Sequence, residues 1–297
     1  MAAPAIPAGR PVEVRASRGL WSDAFRRLLR NGPALLGIVL IILFVLAALF
    51  APLIAPYGPL EGTLVDRLQP PSAAHIMGTD LQGRDEFSRV VYGAQVSLLA
   101  GVTSVVMGVT IGGLIGALAG GIGGRVDSVL MRVVDVMLAI PGILLAIGIV
   151  AWLDRGLPQI MFAVAMVNVP IFARILRGSL LALRESDFVI ASRSVGASGP
   201  RLLLRHMLPN SLTPLIVAAT LALATAIIDV AGLGFLGLGP PDPRTPEWGT
   251  MLTDATKFLR QAPWLIFFPG LAIVISAVGF NLLGDGLRES LDPRMRR

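Results

Sequence analysis

Long apolar runs separated by short polar segments dominate this chain, in place of the mixed pattern of a water-soluble fold. Six runs stand out, at 33–54, 95–121, 130–152, 157–176, 212–236 and 263–283. At 1.5 Å of rise per residue, each can cross about 30 Å of hydrocarbon as a helix. None alternates polar and apolar positions as a barrel strand does. The pattern predicts an all-α integral membrane protein of about six transmembrane helices. Its parts are a tail over 1–32, a membrane domain over 33–285 and a second tail over 286–297. The polar segments inside the domain are an outer loop at 55–94, an inner loop at 177–211 and a Pro-rich outer stretch at 237–262. None is long enough to carry its own core, so one membrane domain is expected.

Charge gives this topology a direction. Of the 25 Lys and Arg residues, 18 fall in segments assigned to the inner side and 7 in outer segments. The asymmetry follows the positive-inside rule and places both termini inside. Arg10, Arg15, Arg18, Arg26, Arg27 and Arg30 precede the first run. That run is longer than a signal-peptide core and no small-residue cleavage site follows, so it reads as a retained anchor helix.

Composition agrees: 54% of residues are hydrophobic and 15% charged, with a mean hydropathy of +0.75. Soluble domains carry about 25% charged residues. With no Cys, disulfide frameworks and thiolate metal sites are excluded. The two His, His75 and His206, lie far apart, which argues against a structural metal site. The net charge of +6 comes from Arg beside the spans, so nucleic acid is not implied.

Within the spans, Gly108, Gly112, Gly116 and Gly120 form a ladder at i+4 that lets another helix backbone approach closely. Asp229 lies deep in the fifth run. It reads either as a translocation-pathway residue or as a structural partner for a neighbouring helix. Asn168 with Pro170, and Pro141 with Gly142, read first as kink sites, and Asn168 is also a pathway candidate. Asp127, Arg132 and Asp135 are expected to form interfacial ion pairs. Asp80, Asp85, Glu86, Asp242, Glu247 and Asp254 give the outer loops an acidic character, read as a solvated surface.

The inner loop has the most distinctive local chemistry. Ser186 or Asp187 can cap a short helix, and Gly196 can supply its left-handed stop. Pro200 can open a second short helix, which Pro209 ends. Small residues at the bend, among them Ala191, Ser192, Gly196 and Ala197, leave a surface that another protein can approach closely; an ordinary amphipathic loop is the alternative.

This segment resembles the "EAA" loop of ATP-binding-cassette importer permeases, whose core is E-A-A, three residues, Gly, nine residues, then I-x-L-P. Ala191, Gly196, Leu208 and Pro209 match at that spacing, with Ile190, Ser192 and His206 replacing Glu, Ala and Ile. Three further segments are similar to the dipeptide/oligopeptide/nickel branch of that superfamily. Residues 75–85 resemble its H-P-L-G-T-D-x-x-G-R-D element, with Ile76 for Pro. Residues 234–249 resemble S-F-L-G-L-G…W-G, and residues 281–293 resemble N-L-L-G-D-x-L-R-D-x-L-D-P. The order and spacing fit the second of the two permeases in such systems.

The resemblance implies a type I importer permease fold and half of a translocation pathway in a bacterial cytoplasmic membrane. The implied partners are a second homologous permease, two ATPases and an extracytoplasmic substrate-binding protein. It implies that Ser186, Asp187, Ala191, Ser192, Gly196, Ala197 and Pro209 dock an ATPase. It also implies that ATP and Mg are held by those partners, with no cofactor on this chain. The sequence agrees, because the sole Lys, Lys257, follows Thr256 and does not complete a P-loop. Short peptides are the expected cargo, with nickel chelates, glutathione or opines as alternatives. A secondary transporter would show inverted repeats, and none is evident. An intramembrane enzyme would need a nucleophile and base within the spans, and no G-x-S-x-G or H-E-x-x-H occurs.

Overall fold

The computed structural model of the protein describes residues 20–242 and 244–291, and within them every regular element is helical. Six of the Arg residues counted on the inner side (Arg10, Arg15, Arg18, Arg294, Arg296 and Arg297) lie outside these residues. After a short α1 (Leu20–Leu28), α2 (Gly32–Leu49) opens where Asn31 accepts the Ala34 N–H at 3.0 Å. Pro33 sits in its first turn, where a missing N–H costs no bond. A single turn, α3 (Ala51–Ile54), leads into the outer loop.

The Asp85 carboxylate caps α4 (Glu86–Ile122) by accepting the Ser88 N–H at 2.8 Å. At 37 residues α4 is about 55 Å long, well beyond the hydrocarbon thickness. The run at 95–121 is thus its membrane part, and its first turns stand clear on the outer side. It ends at Gly123, whose φ of +76° suits Gly alone among common residues.

The expected third span is broken. α5 (Gly124–Ala139) and α6 (Gly142–Leu153) meet at 95°. Pro141 is the cause: it has no N–H to offer and drives Ile140 into extended backbone at φ −93°, ψ 128°. The sequence pattern reads a kink here, whereas the chain makes a full corner. At about 24 Å and about 18 Å, neither half crosses the hydrocarbon alone.

The chain continues through α7 (Leu157–Arg184), α8 (Asp187–Ser194), α9 (Gly199–Leu202), α10 (Leu208–Leu233), α11 (Trp248–Ala255) and α12 (Trp264–Leu291). Five helical stretches can each cross a membrane, and the α5–α6 pair brings the number to six. The main seam lies between α4 and α7. There a Cβ on Gly112 would stand 2.4 Å from the Val169 carbonyl oxygen, and one on Gly116 2.4 Å from that of Ala173. The Gly ladder is therefore an intramolecular contact, in which close backbone packing replaces the hydrophobic drive absent in lipid. On the other side α12 packs against α2 and α10. Gly37 meets Gly279, Gly284 meets Leu221 and Gly286 meets Ala34, so the glycines of the C-terminal motif serve helix packing. Leu43, Val106, Leu114, Val129 and Val133 remain exposed on α2, α4 and α5, as a lipid- or partner-facing surface requires.

Candidate functional site

The inner segment folds as two short helices joined by a bend. α8 begins after Ser186, which has the extended backbone of an N-cap but uses its hydroxyl elsewhere, donating to the Leu183 carbonyl at 2.5 Å. Its end is a Schellman closure. Gly196 at φ +84° donates to the Arg193 carbonyl at 2.9 Å, and Ala197 donates to that of Ser192 at 3.1 Å. Pro200 occupies the first turn of α9, as the sequence implies.

Pro209 departs from expectation. It does not end the second helix, because helical structure runs from Gly199 to Leu238. A wide π turn at Leu203–Met207 precedes it, in which the Leu208 N–H reaches back five residues to the Leu203 carbonyl. Pro209 then falls in the first turn of α10. The wider turn relieves the clash between a Pro ring and the preceding turn. The Asn210 amide donates to the His206 carbonyl at 2.6 Å, satisfying a neighbouring acceptor.

The two faces of this segment differ. Val189, Leu202 and Met207 are buried in the same core as Phe172, Leu176 and Leu180 of α7. Phe188, Ile190 and Val195 point out, with Val195 86% exposed. Asp187, Ala191, Gly196 and Pro209 are exposed, and Ser186, Ser192 and Ala197 half-buried. Ion pairs tie the adjoining span ends into one body. Arg177 grips Asp127 with two bonds of 2.5 and 2.7 Å, Arg174 meets Asp135 at 2.7 Å, and Arg184 donates to the Gly121 carbonyl. The acids of the expected cluster thus pair with α7 rather than with Arg132.

Asp229 is half-buried at a cavity of about 140 Å³ beside the α5–α6 corner, with Gly142, Ala146, Val164 and Leu233 among its walls. Asn168 is not in that wall. It is buried, donates to the Val164 carbonyl of its own helix at 2.9 Å, and lies against Gly108 across the α4–α7 seam.

The outer side corrects the sequence reading most. Asp80, Asp85, Glu86 and Glu247 are not a solvated acidic surface; all four are buried, Glu247 completely. Asp80 accepts the Gln82 and Arg84 backbone N–H groups and pairs with the Arg84 side chain at 2.6 Å and with Arg89 at 3.5 Å. Asp85 caps α4 and meets His75 at 3.0 Å. Glu247 accepts the Gly249 and Thr250 N–H groups at 2.8 Å each, capping α11. Burial pushes its carboxyl up to about 7 against the pull of those donors. Trp248 donates from its indole to the Val90 carbonyl and from its backbone to Ser97, pinning α11 to α4. Isolated backbone bridges join Gly62 to Arg84 and Thr79 to Asp85. The motifs at 75–85 and 234–249 therefore build one folded outer cap. The alternation of Gly, Asp and Arg at 78–85 was the available signal, since short acids beside left-handed Gly are turn chemistry.

Comparison with known proteins accords with this architecture. Residues 112–297 match the family described as binding-protein-dependent transport system inner membrane component. Residues 19–71 match the N-terminal TM domain of oligopeptide transport permease C. The dipeptide transport system permease protein DppC of Alkalihalophilus pseudofirmus is 47% identical over 276 residues, covering 93% of this chain and 90% of the relative. The glutathione transport system permease protein GsiD of Shigella flexneri is 47% identical over 293 residues, with 98% and 95% covered. Its counterpart in Escherichia coli is 45% identical over the same length. Among solved structures, a chain of the MetNI methionine ABC transporter in an inward-facing conformation shares the fold. Its TM-score is 0.58 at 21% identity, covering 69% of this chain and 96% of the other. With spans, inner segment and outer cap all accounted for, the chain belongs to the inner membrane components of binding-protein-dependent ABC transport systems, a family of non-catalytic multi-pass bacterial permeases that work with ATPase and substrate-binding partners.

Proposed function

We propose that this subunit forms half of a translocation pathway for short peptides, pairing with a second, homologous permease. Two ATPases hold ATP and Mg and dock on the segment from Ser186 to Pro209, contacting Ser186, Asp187, Ala191, Ser192, Gly196, Ala197 and Pro209. One observation carries the reading: this segment turns an exposed apolar face outward while its buried face, through Val189, Leu202 and Met207, shares the core of α7 and α10. A push on such a segment moves packed helices as a body, because close-packed interiors transmit displacement rather than absorb it. Closure of the ATPases then drives alternating access between outward- and inward-open states. Asp229, beside the α5–α6 corner, is the pathway residue in this scheme, and Asn168 secures the seam behind it.

The dipeptide relative supports a peptide cargo, and the glutathione relatives, equally similar, support a tripeptide of related chemistry. The test is uptake into proteoliposomes holding both permeases and both ATPases, supplied with the external binding protein. Labelled L-alanyl-L-alanine should accumulate only with ATP, and competition by unlabelled glutathione ranks the two cargoes. Accumulation without ATP, or without the ATPases, overturns the proposal.

A further inference from the structure

Helix α1 ends where the first span begins, and its surface divides into lengthwise stripes. Ala24 and Leu28 are buried, and Leu28 reaches Gly286 of α12. One residue further on, Phe25 and Leu29 are 62% and 46% exposed. One further again, Arg26 and Arg30 are exposed as well. Helical hydrogen bonds continue past Leu28, from the Leu29 N–H to the Phe25 carbonyl and from the Asn31 N–H to that of Arg27. Each pair therefore stacks at i and i+4 on one face. Because each residue turns a helix by about 100°, the stripes follow one another round it: protein contact, bare apolar surface, then cations.

That order matches a helix lying flat in a headgroup layer, with its apolar side on hydrocarbon and its cations at the level of the phosphates. Apolar exposure resumes at Leu35, Leu36 and Val39 on α2, so the bare stripe borders a surface already turned to the membrane. Neither Arg26 nor Arg30 makes an ion pair or a side-chain hydrogen bond among the described residues. Their Cβ atoms stand about 6 Å apart, a spacing that lets two guanidinium groups take one phosphodiester between them. A protein covering this face would have to supply acids beside an apolar strip, where a bilayer already supplies both. The Asn31 amide donates to Glu289 at 2.7 Å, and with Leu28 on Gly286 it clips α1 to the far end of α12.

We infer that α1 is a binding site for anionic phospholipid of the inner leaflet, with the lipid phosphate held by Arg26 and Arg30 and its chains lying along Phe25 and Leu29. A lipid held there braces the ends of α2 and α12 against the headgroup layer.

The test titrates dioctanoyl phosphatidylglycerol into the assembled permease–ATPase complex in a neutral detergent, with the bound fraction read by native mass spectrometry. Saturable binding is expected, tighter than that of dioctanoyl phosphatidylcholine, weakened by salt and insensitive to inorganic phosphate, which has no chains to bury. Arg26→Gln with Arg30→Gln should weaken phosphatidylglycerol about thirtyfold, since each Arg near an anionic surface is worth about fivefold. Arg26→Lys with Arg30→Lys should keep most of the affinity, and Phe25→Ser should weaken both lipids alike. Phosphatidylglycerol should also raise the melting temperature of the unmodified complex and not that of the double Gln variant. If the double Gln variant fails to assemble, a photocrosslinker in place of Phe25 decides: capture of lipid supports the site, and capture of another protein chain overturns it. Equal affinity for the two lipids, or unchanged affinity in the double Gln variant, overturns it as well.

Discussion

Gly249 lies so close to Ala231 that a Cβ on it would stand 2.1 Å from the Ala231 carbonyl oxygen. The contact sets α11 directly onto the end of α10, backbone against backbone. Beside it, a Cβ on Gly234 would stand 2.4 Å from Glu247 Oε2, and Thr253 donates to the Gly234 and Phe235 carbonyls of a second wide turn, Gly234–Leu238, that follows α10. The outer cap is thus hung on the fifth span by contacts that only Gly admits.

Gly249→Ala should therefore destabilise the cap by about 1–3 kcal/mol, the usual cost of overpacking, and towards the upper end because a carbonyl cannot swing aside. Thermal denaturation of the purified complex should show the loss. Protease sensitivity should appear first at 237–262 if α11 lifts away.

Gly196 has open space around the position of a Cβ, so its role is conformational. Gly196→Val should lower ATP-driven uptake severely while the protein still inserts. A β-branched residue in left-handed backbone costs about 1–2 kcal/mol and would open the Schellman closure. Gly196→Asn, which tolerates that backbone, should retain most of the uptake. Membrane abundance measured beside uptake separates failed coupling from failed insertion.

Glu247 gives the cap a pH dependence whose sign is fixed. Its carboxyl is raised from 4.5 to about 7 in the folded protein, so the folded state holds its proton more tightly than the unfolded chain. Its contribution is complete below the unfolded value and is lost as pH rises through about 7, an effect of up to about 3 kcal/mol. Melting temperature should fall between about pH 5 and about pH 8. Glu247→Gln, which cannot titrate, should reduce that slope but not abolish it, because burial raises the Glu86 carboxyl of the same cap to about 8 and its contribution has the same sign.

Asp229→Asn and Asn168→Ala should separate function from packing. The first replaces an ionisable carboxyl that lines a cavity and should slow uptake about tenfold or more with little change in melting temperature. The second breaks only a bond within its own helix and trims a contact with Gly108, so it should lower stability modestly and leave uptake near normal.

Much of this architecture is written at the level of the chain, since an apolar run of twenty residues has few alternatives to a membrane helix. The Schellman stop at Gly196 is as directly readable from local backbone demands, and a close helix contact on α4 is readable from the i+4 spacing of its glycines, though the identity of α7 as the partner is not. The α5–α6 corner is not, since a Pro inside a span kinks some helices and breaks others according to what packs around it. Pro170 shows the contrast, lying within α7 with the helix intact. The burial of Asp80, Glu86 and Glu247 was likewise illegible. Loop acids are solvated by default, and only the folded cap shows which ones face inward. Arg177 and Arg174 illustrate the same limit: their positions announced an inner boundary, while their partners on α5 depended on the corner that brings that helix alongside.

The wide turn at Leu203–Met207 inserts one extra residue into an otherwise regular winding, and each residue advances an α-helix by about 100°. Everything before it, α8 and α9 included, is therefore clocked out of phase with α10. Shortening that turn by one residue would swing the outward apolar face about a quarter of a revolution around the span, leaving every local motif intact and aimed at the wrong neighbour.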